Sequence, residues 1–116
     1  MTGSGRNLTD ALRFREGIGL FMMISGINAV ARPTMRKVST ALGNPQPDVL
    51  IPGQWALETS ARIHYKFAED VASAQNVADA AGLPHAAVVQ HRSGKLLGDS
   101  FVVMTLDTFA ALIAPG

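Results

Sequence analysis

Hydrophobic and polar positions along this 116-residue chain follow two different periods, and the switches between them mark its elements. From Leu8 to Ile24 the spacing is helical, with Asn7 or Thr9 placed to cap the helix and Gly26 to stop it. Leu12, Glu16 and Gly19 fall on one side, and Ile18, Leu20, Phe21, Met22 and Ile24 are expected to supply most of the burial. Gly17 and Gly19 each cost about 1 kcal/mol against alanine inside a helix, so they predict close packing on a neighbour. Residues 1–6, with Gly3-Ser4-Gly5, are expected to be a disordered terminus ahead of one domain over 7–116. A short strand is predicted over Ile27–Ala31, followed by a loop from Arg32 to Pro47 rich in proline, glycine and asparagine.

The period then shortens to two. Val49-Leu50-Ile51 and Trp55-Ala56-Leu57 flank Pro52-Gly53, a turn pair that predicts a β-hairpin. Alternation carries the second strand onward: Glu58, Ser60, Arg62 and His64 share one face, and Leu57, Thr59, Ala61, Ile63 and Tyr65 the other. Helical spacing returns over Phe67–Ala81, with Phe67, Val71, Ala74, Ala78 and Ala81 as its stripe and Gly82 and Pro84 ending it. Ala86 to Gln90 is an apolar strand suited to burial on both faces. A loop from Ser93 to Gly98, a strand over Phe101–Thr105 and a closing helix through Ile113, capped by Asp107, complete the chain. The order α-β-β-β-α-β-β-α predicts an α/β or α+β domain: a mixed sheet of about five strands flanked by helices.

Composition narrows the function classes. The hydrophobic fraction is 47%, ordinary for a globular chain, but charged residues are only 16%, well below the usual quarter. That excess of apolar surface favours burial against a partner, most simply a second copy. Cysteine is absent, which removes disulfide frameworks and thiolate metal sites. The uncharged stretch Gly17–Ala31 contains Ser25, Gly26 and Asn28 and falls short of the roughly 20 apolar residues a bilayer span needs, so no membrane partner is expected. The net charge of +1 leaves no global footprint for nucleic acid, yet Arg32, Arg36, Lys37, Arg62 and Lys66 surround the hairpin.

Against those cations, Asp48 and Glu58 are the only acids between positions 32 and 66. They lie five residues either side of Gly53, so hairpin pairing is expected to bring them together. Two clustered carboxylates repel, and such a pair either takes up a proton or binds a divalent metal.

Pro47-Asp48 with Trp55-Ala56-Leu57-Glu58, followed by helix, strand, strand and helix, resembles the PD-(D/E)XK nuclease superfamily. The likeness is to the small phage and archaeal-type Holliday-junction resolvases, and it extends from about Ala11 to Ile113. Ala87–Lys95 and Phe101–Leu106 resemble the C-terminal half of small actinobacterial-phage members. The resemblance implies a restriction-endonuclease-like core and metal-dependent, structure-selective cleavage of branched DNA. It also implies a homodimer, and a phage- or prophage-encoded protein in the cytoplasm of a bacterial host. Mg²⁺ or Mn²⁺ would be held by Asp48 and Glu58, the Thr59 carbonyl and, from the first helix, Glu16. Arg32, Arg36, Lys37 and Lys66 would meet nucleic acid. One position departs: the family's motif lysine falls at Ser60, which is neutral and short. Arg62 or Lys66 could supply the missing cation. If neither does, the chain would be a silent nucleic-acid binder of the same fold, or a dimeric interaction protein.

Overall fold

The structure, a computed structural model, describes residues 3–33 and 46–115. Three helices, α1 (Gly3–Ile24), α2 (Phe67–Ala81) and α3 (Leu106–Ile113), accompany five strands, β1 (Val30–Ala31), β2 (Val49–Ile51), β3 (Trp55–Ser60), β4 (His85–Gln90) and β5 (Phe101–Val103). The strands form one mixed sheet in the order β1-β2-β3-β4-β5, parallel only between β3 and β4, where α2 makes the crossover. This is the α/β architecture expected, with helices on both faces of the sheet.

Alternation along the strands builds two cores. Val49, Ile51, Leu57, Ala87 and Val89 face α1 and pack with its Phe14 and Ile18. Ala56, Ala86 and Val88 face the other way and pack with Ala74, Val77 and Ala78 of α2. The small side chains let α2 lie close to β3 and β4, and Gly82 in the left-handed region (φ +70°) ends it.

Several boundaries differ from expectation. Helix α1 starts at Gly3 and so includes part of the segment expected to be disordered. Its sheet-facing stripe is Phe14, Ile18 and Met22, so Leu20, Phe21 and Ile24 are exposed rather than buried. Gly19 does mark a close approach: a Cβ there would lie 3.1 Å from Cβ of Ala31. Strand β3 stops at Ser60, because its neighbour β4 ends in register at Gln90 and no partner extends beyond. The expected alternation from Ala61 to Tyr65 is therefore loop. A short 3-10 helix, Leu97–Asp99, occupies the loop before β5. Thr105, not Asp107, caps α3, its hydroxyl accepting the Thr108 N–H at 3.2 Å. Among the described residues no helix is long and apolar enough to cross a membrane.

Candidate functional site

The hairpin turn fixes the site. Gln54 N–H donates to the Ile51 carbonyl at 2.9 Å, with Pro52 and Gly53 (φ +72°) as the central residues, the sequence requirement of a type II turn. Val49 pairs with Leu57 and Ile51 with Trp55, and the next rung of that register sets Asp48 opposite Glu58. The backbone N–H of Asp48 donates to Glu58 Oε2 at 2.9 Å, joining the two acids directly. Strand β1 extends the rung on the other side: Ala31 pairs with Val49, and Arg32 N–H donates to the Asp48 carbonyl at 2.8 Å. Arg32, Asp48 and Glu58 thus form one row across three strands.

The row is buried and charge-compensated. Asp48 and Glu58 are 6% and 7% exposed, and Arg15 and Arg32 are 3% and 4%. Asp48 Oδ1 receives Arg32 Nη2 at 2.9 Å and Arg15 Nη2 at 3.2 Å. Its other oxygen, Oδ2, accepts from the Thr59 N–H at 2.8 Å and the Thr59 hydroxyl at 3.1 Å. Oδ2 therefore takes two donors, and Oδ1 one hydrogen bond and a second guanidinium as an ion pair. Arg32 Nη1 also donates to the Gln46 carbonyl at 2.9 Å, and Arg15 Nη1 to the Arg32 carbonyl at 3.3 Å. Burial pushes the Arg15 pKa below its ordinary value; Asp48 and Glu58 oppose that shift and the Arg32 charge adds to it. Two carboxylates and two guanidiniums share this interior, each kind offsetting the other.

The other expected site residues fall elsewhere. Glu16 is exposed, and its neighbour Arg15 is the α1 residue that reaches Asp48. With Phe14 and Ile18 facing the sheet, position 15 turns inward and position 16 turns out. Arg62, the candidate substitute for the motif lysine, pairs with Asp70 in the first turn of α2 at 2.7 Å. Ser60 Oγ accepts the Arg62 N–H at 3.4 Å, a local backbone contact. Arg32, expected to meet nucleic acid, is buried against Asp48. Arg36 and Lys37 lie outside the described residues. Lys66 is exposed at the start of α2.

Lys66 also lines a cleft of about 960 Å³ with Arg62, His64, His91 and Asp10. The cleft lies where the chain leaves the carboxyl ends of the parallel strands β3 and β4, the place where open α/β sheets take ligands. Gln90, completely buried at the end of β4, holds its floor: Nε2 donates to the carbonyls of Arg62 and His91, both at 3.0 Å.

Sequence reasoning missed Arg15 and Gln90. The signal for Arg15 was the Phe14, Ile18, Met22 spacing, which puts residue 15 on the inner flank of the helix. Gln90 closed an apolar run in a strand buried on both faces, so it needed internal partners.

A divalent metal is compatible with this donor set in kind. Magnesium is commonly held by one or two carboxylates plus water, and Asp48 and Glu58 stand side by side. Among the described residues no cluster of three or more acidic or histidine side chains is present, and Asp48 already has two guanidiniums on Oδ1. Cation binding there has to compete with Arg15 and Arg32. No family model matches the chain, and no curated protein or solved structure matches it either.

Proposed function

We propose that this chain is a metal-dependent endonuclease that hydrolyses phosphodiesters of branched DNA, a Holliday-junction-resolvase-like enzyme. The observation that carries the reading is the direct opposition of Asp48 and Glu58 on one hairpin rung, joined by the 2.9 Å bond from Asp48 N–H to Glu58 Oε2. Asp48, Glu58 and the Thr59 main chain are the groups that would hold Mg²⁺ or Mn²⁺, which when bound makes water more acidic and offsets phosphate charge.

The cleft lined by Arg62, Lys66, His64, His91 and Asp10 supports DNA as the partner through Arg62 and Lys66, which would meet the phosphate backbone. Ser60 cannot offset charge on a phosphate, and Arg62 is engaged by Asp70. Arg15 and Arg32 are the cations that stand against the carboxylates. They neutralise the carboxylates and do not replace the motif lysine, whose charge would act on the phosphate; Lys66 is the exposed cation left for that part. A pair of copies would offer two such sites to the two strands of a symmetric junction.

A second reading, a silent nucleic-acid binder, is favoured by one observation: both carboxylate oxygens of Asp48 are engaged by protein groups, two of them guanidiniums. Labelled four-way, flap and linear duplex DNA incubated in Mg²⁺ and in Mn²⁺ separates the two. The expected result is metal-dependent cutting of branched DNA that falls at least a hundredfold in Glu58→Gln. Salt-sensitive binding with no product in either metal would sink the nuclease and leave the binder. Cutting gained by Ser60→Lys in that event would identify the lost lysine as the cause of silence.

A further inference from the structure

The single tyrosine of this chain and two of its five phenylalanines meet at one corner, and none of the three belongs to either core. Tyr65 comes from the loop after β3, Phe67 from the first position of α2 and Phe101 from the first position of β5. Tyr65 stacks on Phe67 with ring centroids 5.0 Å apart and planes 23° from parallel. Phe101 meets Tyr65 edge to face, at 6.3 Å and 81°. The Arg92 guanidinium lies over the Phe101 ring, 4.3 Å from its centroid. Tyr65 and Phe101 nevertheless stay 45% and 41% exposed. Phe101 pairs with Gln90, the last residue of β4, and Tyr65 follows the end of β3, so the corner lies at the carboxyl ends of both parallel strands. Tyr65 also lines the cleft there, together with Lys66.

The geometry points to a stacking platform for an unpaired nucleobase, belonging to a DNA strand whose phosphates run along this cleft. The inference rests on DNA as the partner in the proposed function and narrows it, from branched DNA in general to DNA that offers unpaired bases. Proteins that hold single strands combine flat rings for the bases with cations for the backbone, and arginine adds its own attraction to a π-face. Both components adjoin here, the rings at Tyr65 and Phe101 and the cation at Lys66.

Charge alone would hold DNA weakly at this place. Arg62 is engaged by Asp70, and Asp10 lines the same cleft, so phosphate attraction is partly cancelled and base faces have to supply the rest. In a duplex those faces are hidden inside the stack, and turning one out costs free energy. A single strand, a flap or the unpaired nucleotides of a branch point present them without that cost. A protein partner anchored on the same rings would leave oligonucleotide binding indifferent to Tyr65, which the test reads.

Fluorescence anisotropy in the presence of a chelator, which keeps cleavage out of the readout, compares a labelled single-stranded oligonucleotide, its duplex and a duplex with a single-stranded flap. Single strand and flap are expected to bind more tightly than duplex. Tyr65→Ala should weaken both at least fivefold, the low end for one base–ring stack, and leave the duplex unchanged, while Tyr65→Phe binds as wild type. Lys66→Gln should weaken all three and flatten the salt dependence, because its partner is phosphate. Phe109→Ala, at a residue 48% exposed on α3, should change nothing. A 2-aminopurine base in the single strand should lose fluorescence on the wild-type chain and keep it on Tyr65→Ala. Should Tyr65→Ala lose its fold, Tyr65→Leu, which keeps an apolar contact for Phe67 but no flat face, carries the test. Unchanged single-strand affinity in the folded variant overturns the inference. So does a wild-type chain that binds duplex as tightly as single strand, or a 2-aminopurine signal that does not respond. Cleavage assayed in Mg²⁺ on the same samples tells the two ideas apart. Tyr65-dependent stacking without cutting retires the nuclease alone, and cutting by a chain whose single-strand binding ignores Tyr65 retires the platform alone.

Discussion

The Asp48 carboxylate accepts three hydrogen bonds and is ion-paired with two buried guanidiniums, and those partners set what its replacement does. Removing one partner from a buried ion pair leaves the other charge uncompensated, at a cost of about 3–5 kcal/mol. Asp48→Asn keeps the shape but leaves Arg15 and Arg32 facing a neutral amide. The expected loss is at least about 3 kcal/mol, which for a domain of this size lowers the melting midpoint by roughly 10–20 °C. Arg62→Ala breaks an ion pair whose arginine is half exposed, and its effect should stay within about 1 kcal/mol. Thermal melts of the two variants side by side check the contrast. Equal losses would mean that the Asp48 cluster adds no stability. One practical result is that variants of either acid confound binding with folding, since Glu58→Gln keeps both arginines on Asp48 but removes one of the two charges that balance them, so a thermal melt has to accompany each cleavage assay.

At the level of elements, the parts built from local chemistry were legible in the sequence. The hairpin centred on Gly53 follows from Pro52-Gly53 between two apolar runs, and α2 begins and ends where its stripe, Gly82 and Pro84 indicate. The opposition of Asp48 and Glu58 follows from that same turn. The parts fixed by distant partners were not legible. Which face of α1 turns inward depends on a sheet whose strands lie elsewhere in the chain, and the run of apolar residues from Ile18 to Ile24 gives no single stripe. Hence Arg15, not Glu16, reaches the carboxylates, and Leu20 and Ile24 stay outside. The end of β3 was likewise set by β4, whose pairing stops at Gln90. The glycine signal was sound: Gly19 lets α1 approach β1, and Gly19→Val would drive a branched side chain into Ala31. Overpacking of that kind costs about 1–3 kcal/mol, measurable as a shift in urea midpoint at unchanged slope. Full stability in this variant would show that α1 can move away from β1 freely.

The whole molecule divides its surface by chemistry. A polar cleft lined by Arg62, Lys66 and Asp10 sits at the carboxyl ends of β3 and β4, whereas the segments 17–31 and 101–116 carry a single charged residue, Asp107. Between the two helical layers, the row of Arg32, Asp48 and Glu58 ties β1, β2 and β3 together, and Arg15 ties α1 to the same point. Those ties join residues 10, 16 and 33 positions apart, so the cluster closes only after the hairpin, the edge strand and the first helix have all assembled. The amide protons of Asp48 and Thr59 are locked onto carboxylate oxygens inside that closure. Deuterium uptake at these two positions should accordingly be among the slowest in the chain, released only by global opening. Rapid uptake at Thr59 would show the knot coming undone on its own. Any ligand of these two acids would therefore have to loosen a knot that also keeps the protein folded.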